Sequence, residues 1–129
     1  MESIELSCEL AAPPERVFEA WLSAEGHTAM TGSPARIDGP EPGGFTTWDG
    51  YIVGRTLEAT PFSRILQAWR TSDFGAEDPD SLLEVLLEPV GGGTKLTLRH
   101  SKLPVGSSQE YTNGWLDFYF TPMKAYFSR

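Results

Sequence analysis

The sequence predicts an α+β domain in which a curved antiparallel sheet of six to seven strands wraps around a long C-terminal helix. Runs of alternating apolar and polar residues, as in residues 4–10, indicate strands with one buried face. Apolar residues at helical spacing occur near the two ends of the chain, in residues 14–23 and 108–127. A run of strands with helices at its ends is typical of an antiparallel sheet.

Size and composition bound what the protein can be. The 129 residues match one domain, which we expect to span residues 1–129. The net charge of −8 and the scattered lysines and arginines argue against nucleic acid or an anionic membrane as a partner, because phosphate binding needs clustered cations. No apolar stretch approaches the ~20 residues that a membrane span requires. A single cysteine and an acidic, alternating N-terminus favour a cytoplasmic protein.

The N-terminal part predicts one strand followed by two short helices. Cys8 lies on the apolar face of that strand, where a small buried hydrophobe is favoured over a reactive thiol. Pro14 suits the first turn of a helix over residues 14–23. A second helix is expected over residues 24–30, ending near Gly32.

Glycine-containing turns separate the strands that follow. Asp49-Gly50 between strand-like runs predicts a hairpin with a type I′ turn, which needs positive φ at both central residues. Gly91–Gly93 joins two strands and lacks the lysine of a phosphate loop, so it is interpreted as a turn. Gly43-Gly44 indicates a bend or bulge. We expect strands near residues 35–37, 45–48, 51–60, 64–71, 83–87 and 96–100.

The last twenty residues predict the long helix and hold an unusual share of the aromatic residues. Ser107 and Ser108 are suitable N-caps, and Glu110 follows in the first turn. Pro122 should kink or split the helix, because it removes one backbone hydrogen bond. The predicted buried stripe is Tyr111, Trp115, Phe118, Tyr119, Met123 and Phe127.

Signals for chemistry are weak. The two histidines, His27 and His100, and the cysteine show no metal-ligand spacing, so we expect no metal and no cofactor. No nucleophile elbow is present, and we assign no catalytic residue. His100 shares the inward strand face with Leu96 and Leu98. It would either orient a ligand or move a proton, or serve as a structural histidine, which is the favoured interpretation.

The large aromatic residues allow two interpretations, a filled core or a lined cavity. Ligand cavities favour apolar and aromatic walls with a few polar groups, and the sequence does not separate the two alternatives. If a cavity exists, the predicted ligand-binding residues are Trp21, Met30, Phe45, Tyr51, Val53, Gln67, Trp69, Val85, Leu98, His100, Trp115 and Tyr119.

A resemblance to a known family covers nearly the whole chain. The matching features are Gly43-Gly44-Phe45, the Asp49-Gly50 turn with Gly54 after it, Ile65 through Trp69-Arg70, and the helix from Trp115 to Phe127. With these features the sequence resembles the polyketide-cyclase, START and birch-pollen-allergen superfamily, called SRPBCC. Within it, the chain is most similar to the C-terminal domain of the activator of heat-shock protein 90 ATPase, in its stand-alone bacterial form. The resemblance implies a helix-grip fold.

Three functional hypotheses follow. The first is a non-catalytic binding domain that holds a small hydrophobic or amphipathic ligand between the sheet and the C-terminal helix. The second, implied by the resemblance, is a co-chaperone that binds or modulates a heat-shock protein 90 chaperone. The third is a small cyclase or hydrolase that uses His100 as its acid or base.

Overall fold

A computed structural model describes residues 1–37 and 44–128 and places seven strands in one antiparallel sheet. The strand order is β1-β7-β6-β5-β4-β3-β2, so β2 to β7 form a meander and β1 pairs with β7 at one edge. The strands are β1 (Glu2–Leu10), β2 (Arg36–Ile37), β3 (Gly44–Thr47), β4 (Ile52–Thr60), β5 (Arg64–Thr71), β6 (Ser81–Val90) and β7 (Gly93–Leu103). The predicted fold class is confirmed.

Buried residues alternate with half-buried or exposed ones along β5, β6 and β7, as the sequence predicted. On β5 the buried face carries Ile65, Gln67 and Trp69. Successive side chains of a strand point to opposite faces, so these residues lie on the concave side that faces the helices. Cys8 is also buried, and desolvation raises the pKa of its thiol to about 11.

A tight turn connects β3 to β4. Asp49 and Gly50 have φ angles of 56° and 87°, and the Tyr51 N–H donates to the Trp48 carbonyl at 3.1 Å, as a type I′ turn requires. Trp48 itself has a φ of 53°, which is rare for a bulky residue. Strand β3 therefore ends at Thr47, one residue earlier than the sequence predicted. Gly43, half of the expected bend, lies outside the described residues, and Gly44 begins β3.

Two short helices connect β1 to β2. Helix α1 spans Pro14–Leu22 and is amphipathic, and its apolar face packs against β6 and β7. Helix α2 spans Ala24–Thr31, begins at a Ser23 side chain that accepts from the Gly26 N–H, and ends at Gly32 with a φ of 81°. Both helices therefore lie where the turn chemistry of the sequence predicted them.

The C-terminal helix is continuous but contains one wider turn. Helix α3 (Ser108–Trp115) passes into a π-helical turn (Leu116–Phe120) and then into α4 (Thr121–Phe127). The Thr121 N–H donates to the Leu116 carbonyl, five residues back, and the Thr121 hydroxyl donates to the same carbonyl. The irregularity expected from Pro122 is thus a π-turn just before the proline, not a break.

This π-turn corrects one part of the predicted apolar stripe. The sequence placed Phe118 inside, yet it is 55% exposed, whereas Phe120, not predicted, is only 2% exposed. A π-turn inserts one extra residue, so every later position is rotated relative to a regular α-helix. The positions buried after Trp115 are Tyr119, Phe120, Met123 and Phe127.

Within the described residues, no helix is both long enough and apolar enough to cross a membrane.

Candidate functional site

Aromatic rings fill the centre of the space between the sheet and the C-terminal helix. The ring centroids of Trp115 and Tyr119 lie 4.7 Å apart, and Trp69 from β5 lies 5.6 Å from Trp115. Trp21 from α1 stacks on Trp115 at 6.2 Å. Rings at these separations are in contact. The centre is therefore a packed core, which decides between the two alternatives that the sequence left open there.

A hydrogen-bonded histidine joins this core to the sheet. The Trp115 indole N–H donates to His100 Nδ1 at 3.0 Å, so this nitrogen is the acceptor. His100 Nε2 must then carry the proton, which it donates to the Ser81 hydroxyl at 2.8 Å, and Ser81 donates to the Trp69 carbonyl at 2.6 Å. Desolvation lowers the pKa of His100 to about 3. Both ring nitrogens are occupied, and the imidazole is neutral at physiological pH.

The second histidine is held in the same way. His27 Nδ1 lies 2.9 Å from the Trp21 carbonyl, to which it must donate. Its Nε2 therefore accepts from the Tyr119 hydroxyl at 2.7 Å, and the Thr47 hydroxyl lies 3.3 Å from the same oxygen. Desolvation lowers the pKa of His27 to about 4 and raises that of Tyr119. This chain of bonds fixes α2, the C-terminal helix and β3 relative to one another.

Beside the packed centre, an open groove lies between the C-terminal helix and the β3–β4 hairpin. Its cavity volume is about 490 Å³. Seven of its twelve lining residues are aromatic, and the sheet contributes the buried side chains of Ile52 and Trp69. The groove is lined by Trp48, Tyr51, Ile52, Trp69, Glu110, Tyr111, Asn113, Gly114, Trp115, Asp117, Phe118 and Tyr119.

One end of the groove carries hydroxyl groups and negative charge. The Tyr51 hydroxyl donates to Asp73 at 2.7 Å, and the Tyr111 and Thr71 hydroxyls are 2.7 Å apart. Burial raises the pKa of both tyrosines, and the carboxylates of Glu110 and Asp73 raise that of Tyr111 further. These two acidic residues therefore create a negative potential around Tyr111.

The fold and this groove can be compared with known proteins. Residues 11–128 match the family described as "Activator of Hsp90 ATPase homolog 1-like protein". The chain belongs to this family.

The relatives of this chain include a human protein. The chain is 24% identical over 114 residues to the human "Activator of 90 kDa heat shock protein ATPase homolog 1", covering 88% of the chain but 33% of the human protein. The chain thus spans about a third of the length of the curated relatives it matches.

Two solved structures share the fold of this activator-family chain. A crystal structure of an HSP90 activator from Plasmodium falciparum is 28% identical, with a TM-score of 0.88, and the match covers 97% of this chain and 95% of the other. The crystal structure of Ara h 8.0201 has a TM-score of 0.74 at 13% identity, covers 98% of this chain and 97% of the other, and supports the fold alone. The helix-grip fold that the resemblance implied is confirmed.

The twelve predicted ligand-binding residues lie in three environments. Four of them line the groove: Tyr51, Trp69, Trp115 and Tyr119. Seven are buried in the interior without lining it: Trp21, Met30, Phe45, Gln67, Val85, Leu98 and His100. Val53 lies on the exposed side of β4. Gln67 is satisfied within the core, since it accepts from the Trp21 indole at 3.4 Å and donates to Thr56 at 3.2 Å.

Sequence reasoning missed most of the helical wall of the groove. Glu110, Asn113, Gly114 and Asp117 follow one another at intervals of three, one and three residues, so they share one face of the helix. That face is polar and adjoins the aromatic stripe. The spacing itself was the available signal, but polar residues on a helix are usually interpreted as its solvent side.

Trp48 is the most unusual residue of the groove. Its ring contacts Phe118 at 5.2 Å and Tyr119 at 6.4 Å between centroids. Its indole N–H is buried and has no hydrogen-bond partner among the described residues, although it is near enough to the Tyr119 hydroxyl to lower the pKa of that group. Unusual backbone conformation and an unsatisfied buried donor together are more common at functional sites than elsewhere.

Proposed function

We propose that this chain is a non-catalytic binding domain that holds an apolar or amphipathic ligand in the groove between the C-terminal helix and the β3–β4 hairpin. The observation that carries the proposal is the groove itself. Its volume of about 490 Å³ lies within the ~300–1,000 Å³ of small-molecule sites, and its walls are mainly aromatic.

The states of the two histidines support a binding rather than a catalytic role. A general base needs a free lone pair near the substrate. In His100 the lone pair of Nδ1 is used by the Trp115 indole, and in His27 that of Nε2 is used by the Tyr119 hydroxyl. The structure thus gives no support to a cyclase or hydrolase mechanism through His100.

A variant that fills the groove without disturbing the fold tests the proposal. Gly114 is a residue of helix α3 that lines the groove. A Cβ added at Gly114 meets no atom within 4 Å. Gly114→Leu should therefore occupy the groove while it removes a residue of poor helix propensity. The probe is N-phenyl-1-naphthylamine, an uncharged dye that fluoresces in apolar sites.

We expect the wild-type chain to bind the dye saturably with about 1:1 stoichiometry. Gly114→Leu should lose this binding and remain as stable as the wild type, whereas Gly114→Ala, whose methyl group is small, should retain it. Saturable binding that Gly114→Leu leaves unchanged would place the ligand elsewhere. Absence of saturable binding by the wild type would overturn the proposal.

A second candidate is a co-chaperone that binds a heat-shock protein 90. It is favoured by family membership and by the HSP90 activator from Plasmodium falciparum, whose chain is matched over nearly its whole length. The exposed apolar residues Leu116 and Phe118 would form part of the surface that a partner protein buries.

The test is pull-down and ATPase stimulation with the heat-shock protein 90 of the same organism. We expect a complex that Phe118→Ser weakens and that Phe62→Ser leaves intact. Phe62 is an exposed aromatic residue that contacts Phe18 of α1 and does not line the groove. No complex at high micromolar concentration would exclude this candidate and leave the small-ligand proposal unaffected.

A further inference from the structure

We infer that the groove selects ligands with a cationic head and an apolar body, the head lying near Tyr51, Tyr111 and Glu110. This inference rests on the proposed function and adds the chemical class of the ligand. It follows from the charges along the groove, from the kind of walls between them and from the position of the hydroxyl groups.

The charged residues that line the groove are all acidic. Glu110 and Asp117 are its two ionisable carboxylates, and no lysine, arginine or histidine is among the described lining residues. Asp73 adds a third carboxylate behind Tyr51, to which it is hydrogen bonded. The net charge of the chain, −8, has the same sign. The Arg70 guanidinium, which packs on Phe74 near Tyr111, is ion-paired with Asp80. The anionic head of a fatty acid or of another anionic amphipath would therefore be repelled near Glu110 and near Asp117.

The aromatic walls favour a cation for a separate reason. The face of an aromatic ring attracts a positive charge within about 6 Å, most strongly when water is excluded. Quaternary ammonium groups are bound in this way because they have no hydrogen to donate and lose little hydration. The groove presents seven aromatic side chains, so an alkyl or aryl body can pack on the same walls that attract the head.

The position of the head follows from the polar groups. Glu110 lies one residue before Tyr111, and the charges of Glu110 and Asp73 both act on the Tyr111 hydroxyl. Asp117 is seven residues from Glu110, about two helical turns or ~10 Å along the axis. The carboxylates of Glu110 and Asp73 therefore lie close to the Tyr51 and Tyr111 rings. Asp117 lies further along the helix and is followed by Phe118, which contacts Trp48. The head belongs near Glu110 and the two tyrosines, and the apolar body along Trp69 and Trp115.

The test uses three probes that share a decyl chain: decyltrimethylammonium, the uncharged decyl ether of ethylene glycol, and decyl sulfate. Each competes with N-phenyl-1-naphthylamine at a concentration below its micelle threshold. We expect the cation to bind about tenfold more tightly than the uncharged probe, and the sulfate more weakly than either.

Three variants locate the head. Glu110→Gln should remove most of the cation preference and leave the affinity for the uncharged probe unchanged. Asp117→Asn should have the smaller effect. Glu19→Gln, an exposed change on α1 away from the groove, removes the same unit of charge and should change neither.

The outcomes separate this inference from the function on which it rests. If the uncharged probe binds and the cation shows no preference, the ligand class is wrong and the binding function stands. If Asp117→Asn has the larger effect, the head has been assigned to the wrong end. If Glu19→Gln reduces the preference as much as Glu110→Gln does, the selectivity comes from overall charge and the inference fails. If no probe binds, both the inference and the proposed function are overturned.

Discussion

The His100 side chain holds three elements together through two hydrogen bonds. It accepts from Trp115 on the C-terminal helix and donates to Ser81 on β6, and it is itself part of β7. A buried polar group of this kind stabilises only while each partner is satisfied. Its role is therefore best tested by removing the hydrogen bonds without removing the volume.

For His100→Leu we expect a loss of about 1–3 kcal/mol in the free energy of unfolding, because the buried Trp115 indole N–H loses its acceptor. Urea denaturation followed by tryptophan fluorescence measures the change. Gln67→Leu, which removes buried bonds to Trp21 and Thr56, serves as a matched comparison. A His100→Leu protein as stable as the wild type would show that the network contributes nothing to folding.

Both histidines also make stability depend on pH. Burial lowers the pKa of His27 to about 4 and that of His100 to about 3, from an ordinary value of 6.5 in the unfolded chain. Between these values the unfolded state binds more protons than the folded state. The stabilisation is therefore complete above pH 6.5 and is lost progressively as pH falls.

We expect the free energy of unfolding to fall between pH 6.5 and pH 5 with a slope approaching ~1.4 kcal/mol per pH unit for each histidine. Urea denaturation at several pH values in this range gives the slope. His27→Asn should reduce the slope by about half, since the chain has two histidines. A flat profile in the wild type would show that the buried rings titrate normally.

At the scale of the element, the C-terminal helix shows which structural features can be predicted from sequence signals and which cannot. Its existence follows from the aromatic spacing and its irregularity from Pro122. The rotation of its later residues does not follow, because a π-turn has no distinct pattern and the sequence cannot say on which side of the proline the helix adjusts. Hence Phe118 was expected inside and Phe120 was overlooked, although the turn reverses their positions.

Gly114 offers a direct test of this helix. It lies inside the helix, and an added Cβ meets no atom within 4 Å. Gly114→Ala should therefore raise the free energy of unfolding by about 0.5–1 kcal/mol, because alanine loses less backbone entropy in a helix. Gly26→Ala is the contrasting change, since its Cβ would lie 2.6 Å from the Ala20 Cα and should be destabilising. Destabilisation by Gly114→Ala would show that the groove does not have the described open space.

At the scale of the whole molecule, local patterns predicted the architecture, and four of the predicted ligand-binding residues line the groove. Alternation places Ile65, Trp69 and Leu98 inside, and the turn pairs set the hairpins, so the sheet follows from residues close in sequence. Whether an inward residue lines a groove depends on the distance between the helix and the sheet, which no local pattern encodes. Consequently Trp69 and Leu98, both predicted as ligand contacts, lie in different surroundings.

Ligand binding should stabilise the whole domain. A ligand that binds only the folded state adds RT ln(1 + [L]/Kd), which is about 2.7 kcal/mol at one hundred times its Kd. We expect N-phenyl-1-naphthylamine at that excess to raise the unfolding midpoint of the wild type. Gly114→Leu should show no such rise, because its groove is filled. An equal rise in both proteins would mean that the dye binds at another position.

Because Cys8 is buried, the rate at which its thiol reacts reports how often this part of the domain opens. Cys8 is the one thiol of the sequence, it lies in β1 against β7, and its raised pKa keeps it in the unreactive form. An alkylating reagent can react fully with this sulfur only when the inner face of β1 becomes uncovered, either at the sheet edge or at the C-terminal helix that packs on β1. Labelling followed by mass spectrometry would therefore give the rate of this opening in the unmodified protein, without any engineered reporter.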